Sequence, residues 1–237
     1  MRERSNIVDV LLFGITMTER RLLRFVALGD SLTVGFQPPA LYLPGREEFP
    51  YTSFLEAIVY RELPRKGLDH LEVSFINLGV LGDTTRRMLQ RLQSQVAPLR
   101  PDCVIVWGGI NDLFSLEEPE DIYSNLRRIY EMALECDIKP IACTLTSILG
   151  YDELIPRIKR LNDLLRRYCR AHRIPMADLF SATADDAGRL RETFSSDGIH
   201  LSQAGYMKVA NIIYYEALEK ILEDYGRGDK GRIMGAS

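Results

Sequence analysis

The chain is poor in the residues that hold metals and disulfides. Its 237 residues include only 4 cysteines and 3 histidines. Cys103, Cys136, Cys143 and Cys169 show no C-x-x-C spacing, and none of His70, His172 or His200 lies near a cysteine pair. No zinc site is therefore expected, and no metal or other cofactor. The cysteines stand in apolar segments and read as buried free thiols, which makes a reducing, cytoplasmic compartment the expectation. Charge of one sign is not in excess: Lys plus Arg total 30 against 33 Asp plus Glu, a net charge of -3. That balance excludes a generally basic nucleic-acid binder. No apolar run approaches the roughly 20 residues of a membrane span. Internal repeats, low-complexity segments and interdomain linkers are lacking as well.

What is present is ordinary for a globular protein, with 46% hydrophobic and 27% charged residues. The length suits one sizeable domain. Residues 1–16 (MRERSNIVDVLLFGIT) begin with charge and carry a short apolar run over 10–15, broken by Gly14 and without a small-residue cleavage site. That is too little for a secretory signal. Met17 opens a second plausible start, so residues 1–16 are read as an extension outside the fold. Residues 17–225 form the domain, and the Gly-rich polar stretch 226–237 is expected to fray.

Beyond Met17 short β-rich runs alternate with longer helical ones. Strands are expected over 24–28 (RFVAL), 71–78 (LEVSFINL), 103–107 (CVIVW), 138–145 and 174–179. Helices are expected over 49–63, ending at Pro64, and over 84–96, 119–135, 154–172 and 203–225, the last with Ser202 as N-cap. The wholly apolar CVIVW has the pattern of a strand buried on both faces. This alternation implies an α/β fold: a flavodoxin-like, doubly wound, five-stranded parallel sheet with helices on both faces. In such folds ligands sit beyond the carboxyl ends of the strands.

Four polar, glycine-bearing segments stand at those ends. They are Gly29-Asp30-Ser31-Leu32-Thr33-Val34-Gly35, Gly79-Val80-Leu81-Gly82-Asp83-Thr84-Thr85, Gly108-Gly109-Ile110-Asn111-Asp112 and Ser196-Asp197-Gly198-Ile199-His200-Leu201-Ser202. Each alone reads as a turn or a helix start. Together they supply complementary parts of one chemistry. A serine hydroxyl is a weak nucleophile until a base takes its proton, and His200 is the one histidine in a suitable segment. Asp197, three residues earlier across Gly198, can reach its Nδ1 and orient the ring. The backbone N–H groups of Ser31 and Gly82 and the Asn111 carboxamide can face a developing oxyanion.

The ordered blocks GDSLTVG, GDTT, GGIND and DGIH resemble those of the GDSL, or SGNH, hydrolase superfamily, over about residues 25–205. The resemblance implies a three-layer α/β/α fold and metal-free hydrolysis of acyl esters or thioesters. It implies Ser31 as nucleophile, His200 as base and Asp197 as its partner, with Ser31, Gly82 and Asn111 forming the oxyanion hole. Other readings fit less well. The elbow G-x-S-x-G is absent around Ser31, and a Walker A loop needs Gly-Lys-Ser/Thr. A dinuclear metallophosphatase would need histidines and carboxylates at several strand ends. FMN binding gives no reason for Asp197 and His200.

Substrate contacts are expected from Leu32, Phe36, Leu113, Ile148 and Ile199, with stretches 113–118 and 148–151 as neighbours. The Pro-rich stretch 36–50 (FQPPALYLPGREEFP), apolar at Phe36, Leu41, Tyr42 and Leu43, reads either as the wall of an acyl pocket or as a loop packed on itself. These residues point to apolar acyl groups of short to medium length. Arg86, Arg87 and Arg91 read chiefly as a solvated helix face, with attraction of an anionic headgroup or coenzyme A as the functional alternative. The expected partner is a small-molecule acyl ester or thioester, with no nucleic acid and no membrane span; the oligomeric state stays open. An acyltransferase with an alcohol acceptor, a carbohydrate O-acetyl esterase and a non-catalytic binding protein are the remaining alternatives.

Overall fold

Strand β3 (Cys103–Trp107) is the CVIVW run, and all five of its residues are buried. In this computed structural model, which describes residues 20–38 and 48–228, it lies at the centre of a parallel sheet. The other strands are β1 (Arg21–Gly29), β2 (Leu71–Gly79), β4 (Lys139–Cys143) and β5 (Met176–Ala177), in the order β2-β1-β3-β4-β5. Strand β1 starts ahead of the expected 24–28 because it pairs with β2 along its whole length, from Arg21↔Leu71 to Gly29↔Gly79. Strand β5 falls short of the expected 174–179. Pro175 offers no N–H to a ladder, and the Asp178 N–H is taken by Glu216 at 2.7 Å.

Nine helices connect and cover the strands among the described residues: α1 (Ser31–Val34), α2 (Tyr51–Arg65), α3 (Thr85–Arg91), α4 (Ile110–Phe114), α5 (Pro119–Glu135), α6 (Ile155–His172), α7 (Leu179–Thr183), α8 (Gln203–Ile213) and α9 (Glu219–Gly226). Helix α2 packs with α8, while α3, α5 and α6 pack together, giving the three α/β/α layers. Helix α6 shows why: Ile158, Leu161, Leu165, Tyr168 and Cys169 recur at three- and four-residue spacing and are buried. Helix α2 runs through Pro64 to Arg65 rather than stopping before it. The expected helices 84–96 and 203–225 each contain a π-helical turn, at Leu92–Val96 and Tyr214–Leu218. Ser202 caps α8 as expected, its Oγ accepting the Gly205 N–H at 3.2 Å. Helix α1 begins at Ser31, where a helix start was read, whereas α4 and α7 went unforeseen because a turn of five residues is too short to display a period.

Three of the cysteines are buried thiols, but Cys136, at the end of α5, is exposed. Residues 1–16, most of 226–237, and Leu41, Tyr42 and Leu43 lie outside the described residues.

The carboxyl edge of the sheet is held by buried polar groups. With β1 between β2 and β3, the chain reverses its direction of winding at the end of β1. There Gly29 leaves no room for a side chain: a Cβ would lie 2.3 Å from the Trp107 carbonyl oxygen and 2.1 Å from Thr33 Oγ1. Arg91 is not on a solvated face. It is 9% exposed, and its guanidinium donates to the Asp83 carboxylate, to the Leu78 carbonyl at the end of β2 and to the Gly29 carbonyl at the end of β1. Arg87 reaches the same carboxylate at 3.3 Å from the surface.

Asp30 caps α1, its Oδ1 accepting the Leu32 N–H at 2.9 Å, while Oδ2 has no hydrogen-bond partner among the described residues. Burial pushes this carboxyl up from 3.8 to about 7; the Leu32 N–H opposes the shift, and the nearby Asp112 and Asp83 charges add to it. The folded chain therefore holds the proton more tightly than the unfolded chain. The resulting penalty is absent below pH 4, grows between pH 4 and 7, and is complete above. Asp30→Asn keeps an acceptor for Leu32 and abolishes the titration. Urea unfolding should show the variant gaining on the wild type by about 1.4 kcal/mol per pH unit across that window. A difference independent of pH would contradict the assignment.

Candidate active site

Ser31 is the first residue of α1, so the turn after β1 delivers its side chain at the sheet edge, 6% exposed. His200 and Asp197 come from the loop ahead of α8. That loop is stiffened by its own bonds: Gly198 N–H donates to Ser195 Oγ at 2.8 Å, Ser196 N–H to the His200 carbonyl at 3.0 Å, and Leu149 N–H to the Gly198 carbonyl at 2.8 Å. The Asp197 Oδ1 accepts the backbone N–H groups of Ile199 and His200 at 3.0 and 2.7 Å.

Tertiary folding joins the two ends, 169 residues apart in sequence. His200 Nδ1 lies 2.7 Å from Asp197 Oδ2, and Nε2 lies 2.9 Å from Ser31 Oγ. A carboxylate accepts the Nδ1 proton, which leaves the Nε2 lone pair for the serine hydroxyl. Partial burial works to raise the Asp197 pKa, but the hydrogen bonds from the His200 ring and from the His200 and Ile199 N–H groups outweigh it. The carboxyl is held below its ordinary value and stays ionised beside the ring. Phe36 packs edge-on to His200, ring centroids 4.6 Å apart, and covers the imidazole.

The remaining two blocks meet each other through a hydrogen bond. Gly82 sits in the left-handed region at φ 65°, which turns the chain between β2 and α3 at a backbone angle that side chains disfavour. Asn111, on α4 after β3, donates one Nδ2 hydrogen to the Asp83 carbonyl at 2.9 Å. The carboxamide retains a second hydrogen.

Of the expected substrate contacts, one touches a residue of the Ser31, His200 and Asp197 line. Phe36 covers His200, and Ile199, half-buried, adjoins it in the chain. Leu32, Leu113 and Ile148 belong to the hydrophobic core with no more than 2% exposure, so no ligand touches them without rearrangement. Those three positions are corrected here: Leu32 and Leu113 lie in short helices and Ile148 in the stretch after β4, and their side chains turn inward. The exposed large apolar groups in or next to the blocks and stretches named above include Leu81, Phe114, Leu116 and Tyr151. Leu81 precedes Gly82, Phe114 closes α4, and the Phe114 and Tyr151 rings meet edge-on at 5.3 Å. Phe114 and Tyr151 lay within the stretches expected to border the site, but the sequence offers no sign of which residues in those stretches face outward.

Comparison with known proteins finds relatives of the chain. An arylesterase from Vibrio mimicus is 30% identical over 124 residues, 52% of this chain and 54% of that protein. An N-acylneuraminate cytidylyltransferase from Streptococcus agalactiae serotype V is 29% identical over 132 residues, 55% of this chain and 31% of that protein. The chain thus spans about a third to a half of these curated relatives. Among solved structures, a lipase/acylhydrolase from Enterococcus faecalis superposes with a TM-score of 0.60 at 26% identity, covering 89% of this chain and 96% of the other. An acetyl-xylooligosaccharide esterase from Geobacillus stearmophilus shares the fold at a TM-score of 0.66 and 17% identity, over 84% of this chain and 96% of the other. Residues 27–208, which carry all four blocks, match the family model, and the chain belongs to the GDSL-like lipase/acylhydrolase family.

Proposed function

We propose that this chain hydrolyses carboxylic esters or thioesters through an acyl-serine intermediate, with apolar acyl groups favoured. The observation that carries the reading is the unbroken line Ser31 Oγ to His200 Nε2, and His200 Nδ1 to Asp197. As Ser31 Oγ attacks the substrate carbonyl carbon, its proton passes to His200 Nε2. The carbonyl oxygen becomes an oxyanion facing the Ser31 and Gly82 N–H groups and the second Asn111 hydrogen. Collapse expels the alcohol or thiol, which takes the proton from His200. Water then enters by the reverse sequence: His200 removes its proton, hydroxide adds to the acyl carbon, and Ser31 leaves with the proton returned. Throughout, the ionised Asp197 stabilises the imidazolium.

Acyl preference is supported by Leu81, Phe114 and Tyr151, which keep 37–41% of their surface exposed; Leu81 precedes Gly82 in the chain, and Tyr151, in contact with Phe114, lies close to Gly198. Burying such surface under an alkyl chain gains about 25 cal/mol per Å².

Hydrolysis of p-nitrophenyl esters from acetate to dodecanoate tests the chemistry. Ser31→Ala or His200→Ala should lower kcat by up to about 10⁶. Asn111→Ala should lower it by about 10²–10³ with KM little changed. Near-normal turnover in Ser31→Ala would sink the mechanism.

Phe114→Ala and Tyr151→Ala test the acyl platform. Each should reduce kcat/KM for octanoate by about tenfold while leaving acetate nearly untouched. An equal loss on both esters would remove these aromatics from acyl recognition. Adding an alcohol to the same assay and analysing the products separates hydrolysis from transfer, and an O-acetylated sugar as substrate addresses the carbohydrate alternative.

A further inference from the structure

Asp112 follows Asn111 in the chain, is fully buried, and has no place in the proton transfers described above. Its carboxylate binds one residue of another loop. Oδ1 accepts the Thr85 hydroxyl at 2.6 Å and the Thr85 N–H at 3.0 Å, and Oδ2 lies 3.1 Å from the same N–H. Thr85 opens α3, the helix that follows Gly82, and the helix's own N-cap residue, Thr84, makes no side-chain capping bond. The acceptor for that helix end therefore comes from the loop carrying Asn111, and a carboxylate suits the positive end of a helix. Asn125 on α5 donates to Thr85 Oγ1 at 3.1 Å, which leaves the hydroxyl proton to Asp112.

Adjacent residues thus grip adjacent residues. Asn111 holds the Asp83 carbonyl while Asp112 holds Thr85, so residues 111–112 and 83–85 are bound at two points. One bond would leave a pivot; two define a register. Gly82, whose N–H faces the oxyanion in the proposed mechanism, is the residue before this gripped segment. From this geometry we infer that Asp112 is a positioning residue, which through Thr85 sets the spacing between the Gly82 N–H and the Asn111 carboxamide so that both meet one oxygen. The inference rests on the reading of Asn111 as an oxyanion donor. Donors act at full strength only when aimed in advance at the position the oxyanion will take. Asp112 supplies that aim without touching substrate.

The test is a double-mutant cycle on the full chain, with kcat expressed per site labelled by a fluorophosphonate, so that loss of folded protein does not count as loss of rate. Asp112→Ala should lower kcat by about 10² with KM changed less than about threefold, the cost of misplaced groups around a reacting centre. Asp112→Asn presents an oxygen where Oδ1 now accepts both bonds, and should recover most of the loss. In an Asn111→Ala background, Asp112→Ala should cost only a few-fold more, because one of the two donors it aligns is already gone. A full, multiplicative loss in that background would overturn the inference, as would an unchanged kcat per labelled site in Asp112→Ala. If Asn111→Ala alone has no effect, the oxyanion assignment fails first, and the inference falls with it. Should Asp112→Ala not fold, Thr85→Val tests the same link, with Thr85→Ser as the control that keeps the hydroxyl; equal rates in the two would overturn the inference.

Discussion

Arg91 and Asp83 form a buried ion pair at the carboxyl edge of the sheet, and the arrangement of the reactive loops depends on it. Taking two charges out of water is costly, and the cost is met only where every donor finds an acceptor. Arg91 satisfies that condition by donating also to the carbonyls that end β1 and β2 and, through Nε, to Gln95 Oε1. The strand that delivers Ser31 and the strand that leads to Gly82 are thereby tied to one guanidinium. Asp83 in turn offers its carbonyl to Asn111, which brings the loop after β3 into the same assembly. A parallel sheet places its strand ends side by side, but it does not fix how the loops beyond them lean. The buried polar contacts do that.

The edge is built with an excess of acid. Asp30, Asp83 and Asp112 are all fully buried; the Asp83 charge raises the cost of ionising the other two, and Asp112 raises that of Asp30. Arg91 neutralises one of them, and the N–H groups of Leu32 and Thr85 serve the other two. The outcome differs by site. Burial raises Asp112 despite its three bonds with Thr85, and it raises Asp30, one of whose oxygens has no partner among the described residues, into the neutral range. Asp197, by contrast, sits at the rim among N–H donors and stays below its ordinary value. Carboxylates near one serine therefore take on different duties: capping, tying loops together, and orienting the base. Environment alone distinguishes them.

Much of this was legible in the chain. The all-apolar CVIVW had the pattern of a strand buried on both faces, and the alternation of short β-rich and long amphipathic runs led to the doubly wound sheet. GDSLTVG, GDTT, GGIND and DGIH stood at the strand ends, where this fold binds its ligands. Local spacing sufficed for the pairing of Asp197 with His200, because three residues and a glycine are enough to turn the carboxylate back to the ring. What resisted was side-chain direction. Leu32, Leu113 and Ile148 were as apolar and as near to the motifs as Phe36 and Ile199, yet they turn into the core. Arg91 looked like its solvated neighbours Arg86 and Arg87, because a charged side chain reads as solvated until a buried partner, here Asp83, is in place.

The sequence by itself determined the order of the elements, the four reactive blocks and the chemical types they bring, since these depend on periodicity, turn residues and functional groups that are local properties of the chain. Only the tertiary structure decided that His200 Nε2 lies within hydrogen-bond reach of Ser31, that Arg91 is buried, and that Asp112 grips Thr85. Each of these joins loops from different strands, and their separation is set by sheet register and by the packing of helices on both faces. No local pattern encodes a distance across the sheet edge; it emerges when the hydrophobic core closes and the buried polar groups find partners.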